Sequence, residues 1–569
     1  MVYPRKVAKP SPHKIKRPNS TSYGVHYHTK TETTMKHFIM LLMAAACLST
    51  QATRPMRQVI NLKNGKQFVL EKKGCSCNYT AHTFTQSKRR SFDTTSPDGL
   101  GIYGQSAHGT LPSVGEIEIP IVMAGFADCA FQTTTTRKKI ERLFNEEGYH
   151  DLDCPATELA DDIYAAGSVR DYFIYNSGGL FKPHFTVVDS VTVSGYREQY
   201  GKNSKTTHDV GKSDFVNEAL RLAAQNGADF KPFLSASGSV PLVIVLFAGP
   251  GEHASYEEGS ENYLWPCYQQ GSRSAGGVLF NSYFIGNELM QDYKPADDYA
   301  TTHKVFIIGQ HIAGIGVLIH ELGHALGLPD EYDTTSSTPL RPTPDYWSVM
   351  DYGQYQENSY RPMQYSAYER SCLGWLDLKP LEANAGSVTV NPGEGYIVRN
   401  PETDTQYYIL ETRSENPWYR SNRFGTGLMV WHIDYVKSLW TGNRPNNDLN
   451  RQCIRVVPAD STWQSNSTRN TWSEFRSDLY PGDSNPSTAI YGRPYTKAEF
   501  YGLPIFDIAD DGEGHVSFNT QTEGISTAPA NRINTSMGDN SGSTFNLQGR
   551  RLSHPKGLFI QNNQKTIIR

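Results

Sequence analysis

A chain of 569 residues, 38% of them hydrophobic, is long enough for more than one structural unit and for substantial cores. Its 58 acidic and 54 basic residues give a formal net charge of -4, which leaves no global field to attract nucleic acid or an anionic membrane surface; protein or peptide partners remain open. The 33 tyrosines, with plentiful Asn, Ser, Thr and Gly, favour strand-and-loop architecture over long helical bundles.

Residues 1–34 are basic, Pro-rich and without apolar periodicity, so they cannot build a core. Met35-Lys36-His37 then opens a short positive stretch that leads into the apolar run Phe38 to Ala46. This is the pattern of a secretory signal over 35–52, too short to span a membrane. Such signals sit at the extreme N-terminus, so Met35 is the expected start and 1–34 an upstream mis-extension. Two processing readings stay open: release after Thr50-Gln51-Ala52, which has small residues at the key positions, and lipidation at Cys47, where Ala44 departs from the preferred leucine. Release is the favoured reading. Residues 53–112 are polar and irregular, with one strand-like run near Lys66 to Leu70 and an exposed-looking Lys88-Arg89-Arg90, and read as a propeptide. Cys75 or Cys77 could supply a thiolate to a metal in a zymogen; a disulfide or free thiols is the plainer reading.

A compact region is expected from 113 to 380. Ile117 to Ala124 is apolar and rich in β-branched residues, as expected of a buried strand. Ser213 to Asn226 places Phe215, Ala219, Leu222 and Ala223 on one helical face and stops at Gly227. Val240 to Ala248 and Lys304 to Ile308 read as two further buried strands. Strands alternating with helices describe an α/β domain.

Within it lies His320-Glu321-x-x-His324-x-x-Gly327-x-x-Asp330. Residues four apart share a helix face, so His320 and His324 can present imidazole nitrogens to one Zn²⁺, and Glu321 can reach a water bound to that metal. The helix is expected over about 314–326, with Ile315, Leu318, Ile319, Leu322 and Leu326 toward a core. Gly327 ends it in a left-handed conformation, and the turn swings Asp330 back toward the metal as third ligand. In this reading Glu321 takes the water's proton as the scissile carbonyl is attacked and returns it to the leaving amine. A carboxylate ligand partly neutralises the metal, which gives Glu321 the heavier task. His253, His303, His311 and His432 read as structural rather than catalytic. No clustered Cys/His spacing suggests a second, structural zinc site. Acidic runs at Asp161-Asp162, Asp297-Asp298 and 507–513 are oxygen-rich enough for Ca²⁺, but match no EF-hand and give no ligand assignment.

Downstream, Trp347-Ser348-Val349-Met350-Asp351-Tyr352-Gly353 together with the zinc helix resembles the metzincin metallopeptidases. That resemblance implies that Met350 forms an apolar floor beneath the metal and that Tyr352 ligates it or steadies the tetrahedral intermediate. The likeness is closest to the immune-inhibitor-A-like secreted bacterial metalloproteases, through Ile119 to Asp128, Ser168 to Phe181, Val245 to Glu252, Leu264 to Cys267, the zinc helix, Tyr407 to Arg413 and Gly425 to Asp434. It covers about 113–520 and implies an α/β metzincin-like catalytic domain followed by a β-rich, sandwich-like domain over 381–519. Family members carry aspartate as third ligand, in agreement with Asp330, and often bind calcium.

After about residue 380 the pattern changes to short alternating runs, with strands expected at Ser387 to Val390, Gly395 to Val398, Tyr407 to Glu411, Leu428 to Ile433 and His515 to Phe518. A Thr/Ser/Asn/Gly-rich linker follows over 520–543. The tail 544–569 looks like the small β-rich C-terminal sorting modules of Bacteroidetes exported proteins, which implies an export machinery as partner. The expected activity is that of a secreted or cell-surface zinc endopeptidase acting on protein substrates. The alternative is an inactive metzincin-fold adhesion or binding protein. A non-haem iron oxygenase would take its ligands from strands and leave Glu321 idle, and a thermolysin-type enzyme would need a later glutamate-bearing helix.

Overall fold

The computed structural model describes residues 50–52, 56–61, 67–71, 109–205, 207–302, 304–335, 343–403, 405–448, 451–459, 479–480, 501, 503 and 505–520, with strand positions at 544–545, 551–552, 557–561 and 564–568. Cys47, Cys75, Cys77, Lys88 to Arg90, His303 and the 520–543 linker region beyond Thr520 lie outside the described residues. By contacts the chain divides into two compact units, Met1–Thr520 and Gln521–Arg569.

The first unit is built on a seven-stranded mixed sheet. Its order is Thr50–Ala52, Cys267–Ala275, Val278–Pro295, Val243–Pro250, Gly115–Gly125 and Phe181–Thr192, with Val305–Ile312 paired to the far half of Val278–Pro295. The four strands from Val278–Pro295 to Phe181–Thr192 run parallel, whereas Cys267–Ala275 and Thr50–Ala52 add antiparallel at one edge. Parallel strands are buried on both faces, which explains their continuous apolar sequence. Alternation sends Ile119, Ile121, Met123, Ile244 and Leu246 into one core and Val122, Ala124, Val243, Val245 and Phe247 into another. The helix Lys212–Gln225 closes the second face with Phe215, Val216, Ala219, Leu220 and Ala223. Helices Arg137–Asn145, Val169–Asn176 and Gly316–Leu326 pack on the first.

The α/β organisation and the strands expected at 117–124 and 240–248 are therefore present. The expectation of a buried strand at 304–308 needs correction. Val305–Ile312 is paired on one side alone, along an overhanging part of its neighbour, and leaves Phe306 and Ile307 exposed. Its apolar run signalled a strand but not its place in the sheet.

After residue 380 a five-stranded sheet orders Lys379–Pro380, Gly395–Arg399, Gln406–Arg413, Gly427–Asp434 and Ile454–Val456, and a three-stranded sheet joins Ser387–Val390, Val516–Asn519 and Phe506–Asp510. One apolar cluster lies among Val390, Val398, Leu410, Val430, Val516 and Phe518. Other side chains of the same strands, Ile397, Ile409, Trp431 and Ile433, belong to the core that holds the helix Gly316–Leu326.

A tight segment before these strands packs on the start of that helix. Glu357, Asn358 and Ser359 take φ values of 47°, 50° and 68°. Left-handed backbone costs such residues on the order of 1–3 kcal/mol each, so the surroundings must hold them. Glu357 is gripped by Arg361, Arg420 and Arg423, and Gly316 N donates to Ser359 O at 2.9 Å. The second unit contributes a four-stranded sheet from strands within 544–568. No described helix is long and apolar enough to cross a membrane.

Candidate metal centre

The helix Gly316–Leu326 is buried along its whole length, so its histidines face a protein interior rather than solvent. It ends where Gly327 adopts φ 110°, with Gly327 N and Leu328 N both donating to Gly323 O, a glycine-terminated stop. Pro329 follows, and the chain turns back so that Asp330 Oδ1 lies 3.2 Å from Nε2 of both His320 and His324. The two imidazole rings are 4.7 Å apart, centre to centre.

Those three atoms, His320 Nε2, His324 Nε2 and Asp330 Oδ1, are buried without hydrogen-bond partners. Buried polar atoms are rarely left so. Each histidine meanwhile points its other nitrogen at a backbone carbonyl: His320 Nδ1 at Val349 O, 2.9 Å, and His324 Nδ1 at Leu328 O, 2.8 Å. An Nδ1–H donated to a carbonyl fixes the tautomer whose Nε2 carries a lone pair. Burial holds His320 below the ordinary imidazole value, which favours this neutral form. Two imidazole nitrogens and one carboxylate oxygen, converging and otherwise unsatisfied, could hold Zn²⁺ with an open position.

Glu321 is buried beside the histidines, and its Oε2 accepts the Tyr268 backbone N–H at 2.6 Å. Tyr268 belongs to the antiparallel strand Cys267–Ala275, whose other neighbour is Thr50–Ala52. The same strand therefore orients the glutamate and borders the helix.

Met350 is fully buried under the helix: a Cβ built on Gly323 would come within 2.6 Å of its sulfur. Ser348 secures the turn by donating to Glu369 at 3.1 Å and accepting the Met350 amide at 2.9 Å. Tyr352 is buried in the same turn, its ring stacked on Tyr346 at 6.0 Å.

Sequence reasoning missed several contributors. Tyr268 provides the Glu321 contact and lies with its ring 6.5 Å from His324; Tyr332 stacks 6.4 Å from His320. Asn443 is more consequential. Its Oδ1 accepts Asp330 N at 2.6 Å while its Nδ2 donates to Asp330 Oδ2 at 2.6 Å, so one amide fixes the aspartate at two points and leaves Oδ1 directed at the histidines. Asn446 and Asn447 extend the seam, with Asn446 Nδ2 donating to Glu331 O and Thr334 paired reciprocally with Asn447. The string Asn443-Arg-Pro-Asn-Asn447 was the only available signal, and it reads equally well as an ordinary loop. The described positions of the acidic runs proposed for calcium enter none of the close potential metal-binding groups.

Residues 285–375 match the profile of the catalytic domain of immune inhibitor A peptidase M6. The chain is similar to immune inhibitor A of Bacillus thuringiensis subsp. alesti, with 27% identity over 240 residues, 37% of this chain and 32% of that protein. It is also similar to the pre-pro-metalloprotease PrtV of Vibrio cholerae serotype O1 (strain M66-2), with 25% identity over 249 residues, 38% of this chain and 25% of that protein. The chain thus spans a quarter to a third of the length of the curated relatives it matches. The resemblance to immune-inhibitor-A-type peptidases read from the sequence is borne out at this modest identity.

Proposed function

We propose that this chain is a zinc-dependent endopeptidase of the immune inhibitor A type, secreted or cell-surface in location, that hydrolyses peptide bonds in proteins. The observation that carries this reading is the convergence of three buried, partnerless atoms of His320, His324 and Asp330 beside Glu321. Bound Zn²⁺ would supply Lewis acidity, polarising a carbonyl and making water a nucleophile near neutral pH. His320 and His324 would hold it through Nε2, with Nδ1 on the Val349 and Leu328 carbonyls, and Asp330 through Oδ1. Glu321, its plane set by the Tyr268 amide, would accept the water proton and pass it to the departing amine. Tyr352 would offer its hydroxyl to the developing oxyanion.

The strand Cys267–Ala275 is the natural edge for an extended substrate, because it borders the helix and its backbone already orients Glu321. Thr50–Ala52 now pairs with that edge, from Thr50 opposite Gln269 to Ala52 opposite Cys267. Within this proposal, removal of the 35–52 signal and of a 53–112 propeptide would free it. The inactive-adhesin alternative has no observation in its favour, since His320, Glu321, His324 and Asp330 are all present and gathered.

Glu321→Gln keeps size and hydrogen-bonding capacity but not the base. It is expected to retain zinc and to lower casein hydrolysis by roughly 10²–10⁴-fold. Chelation should abolish the wild-type activity and added zinc restore it; a Glu321→Gln protein with near wild-type activity would refute the assignment.

A further inference from the structure

A second group of potential ligands lies apart from the motif. Cys154 of the strand Leu152–Cys154, Asp292 of Val278–Pro295 and His311 of Val305–Ile312 are all buried, and their donor atoms lie within 4.8 Å of one another. We propose that Cys154, Asp292 and His311 form a structural metal site for a borderline ion such as Zn²⁺, completed by the side-chain amide of Asn358. The inference is independent of the catalytic reading and uses none of its residues.

Like the motif histidines, His311 turns Nδ1 toward a backbone carbonyl, while its Nε2 faces Asp292 and Cys154. Its Nδ1 lies 2.8 Å from the Ile312 carbonyl and 3.0 Å from the Tyr360 hydroxyl, which leaves Nε2 toward Asp292 Oδ1 at 3.5 Å. That separation is long for a charge-assisted N–H···O⁻ bond, normally about 2.7–2.9 Å. It suits two ligands that each sit about 2.0–2.1 Å from one tetrahedral ion, whose donor atoms are about 3.4 Å apart. Asn358 Nδ2 lies 3.7 Å from Cys154 Sγ and 3.3 Å from Asp292 Oδ1. Since the oxygen and nitrogen ends of an amide are interchangeable by rotation, Asn358 can present its carbonyl oxygen as a fourth donor. Space is also reserved: a Cβ at Gly309 would lie 2.9 Å from Asp292 Oδ2 and displace the carboxylate.

Another histidine cluster differs in the telling respect. His208 directs Nδ1 at Asp209 and Nε2 at Glu252, at 3.3 and 3.2 Å, so both its nitrogens face carboxylates and no thiol enters the group. At His311 one nitrogen faces the uncharged Ile312 carbonyl and Tyr360 hydroxyl, and the other faces a thiol and a carboxylate. Thiolate, imidazole and carboxylate together suit Zn²⁺ better than Ca²⁺ or Mg²⁺.

The position gives such an ion a structural task. It would join three strands to the left-handed segment 357–359, and Ser359 of that segment receives Gly316 N at the start of the motif helix. A side chain on Gly314 would meet Ser359 carbon at 2.4 Å, so the two backbones are in direct contact. An ion at Asn358 would thereby brace the helix that carries His320 and His324.

The test is loading of the purified full-length chain with Co²⁺. About two equivalents should bind, and a near-ultraviolet thiolate-to-cobalt charge-transfer absorption should appear, which His320, His324 and Asp330 cannot produce. Cys154→Ser should remove that absorption and about one equivalent of metal while the visible cobalt bands of the motif site remain. Should this variant not fold, His311→Gln serves in its place, and the stoichiometry and absorption of the wild type decide. A folded wild type that binds about one equivalent without the thiolate absorption, or an absorption and stoichiometry both unchanged by Cys154→Ser, would overturn the site. Failure of the catalytic reading looks different: the thiolate absorption would persist while Glu321→Gln remained active.

Discussion

At the scale of single residues, the motif helix presents His320 and His324 but does not by itself place Asp330. Asp330 lies beyond the helix, on a segment whose backbone is held by Met350 O and by the amides of Asn443 and Asn446. Asn443 acts as a positioning residue, because one side-chain amide satisfies both Asp330 N and Oδ2 and so leaves Oδ1 directed at the histidines. It adopts φ 53°, a conformation that glycine takes without strain, so Asn443→Gly removes the amide with little backbone penalty. Zinc affinity of that variant, measured by chelator competition, should fall roughly 10–100-fold with the far-ultraviolet spectrum unchanged. Unaltered affinity would mean that the turn at Gly327 positions Asp330 alone. His320, Glu321 and His324 were legible in the sequence because helix geometry converts spacing into proximity, and Asp330 because Gly327 marks the turn that follows the helix. Asn443 is 113 residues from its partner, and no local periodicity encodes such a contact.

Among the elements, the motif helix is set by its glycines as much as by its leucines. Gly316 sits where a Cβ would come 1.8 Å from Gln354 O and 2.8 Å from Gln354 C, both backbone atoms that no rotamer change can move. Gly316→Ala is therefore expected to destabilise by at least about 1–3 kcal/mol, read as a lowered denaturant midpoint, even though alanine has the higher helix propensity. A midpoint equal to or above wild type would show that the 354–359 segment yields easily. A second prediction belongs to the strands Gly427–Asp434 and Ile454–Val456. Burial and the neighbouring Arg455, whose Nε donates to His432 Nδ1, push His432 down to about 3. It is neutral when folded, whereas an unfolded histidine titrates near 6.5. Between those values the unfolded state binds more protons, so this contribution is present above 6.5 and lost as pH falls toward 3. Urea midpoints measured across that window should fall less steeply for His432→Gln than for wild type; identical slopes would exclude the linkage. The strands on either side of 380 were largely readable, since alternation and apolar runs report burial of a pleated surface. Their assembly was not, as Val305–Ile312 shows: an apolar run does not state which side of a strand finds a partner.

For the molecule as a whole, the change of sequence texture near residue 380 does not coincide with a break in the core. Ile397, Ile409, Trp431 and Ile433 pack in the same cluster as Leu322, Met350 and Tyr365, and Glu411 is buried where Arg413, Trp431 and the Ala367 amide all donate to it. Removing the later strands would expose that cluster and strip a buried carboxylate and several amides of their partners, a cost that marginal stability cannot absorb. It would also remove Asn443, and with it the second anchor of Asp330. Cutting after Thr520 severs far less, because the contacts divide there into two units. A chain ending at Thr520 should therefore unfold in a calorimetric transition like that of the same region in the full chain, with unchanged zinc affinity. One ending at Pro380 should show no cooperative transition, despite containing His320, Glu321, His324 and Asp330. If the shorter chain instead melted cooperatively and bound zinc as tightly as the full chain, the β-rich strands would be an appended module, and the catalytic fold would close on its own.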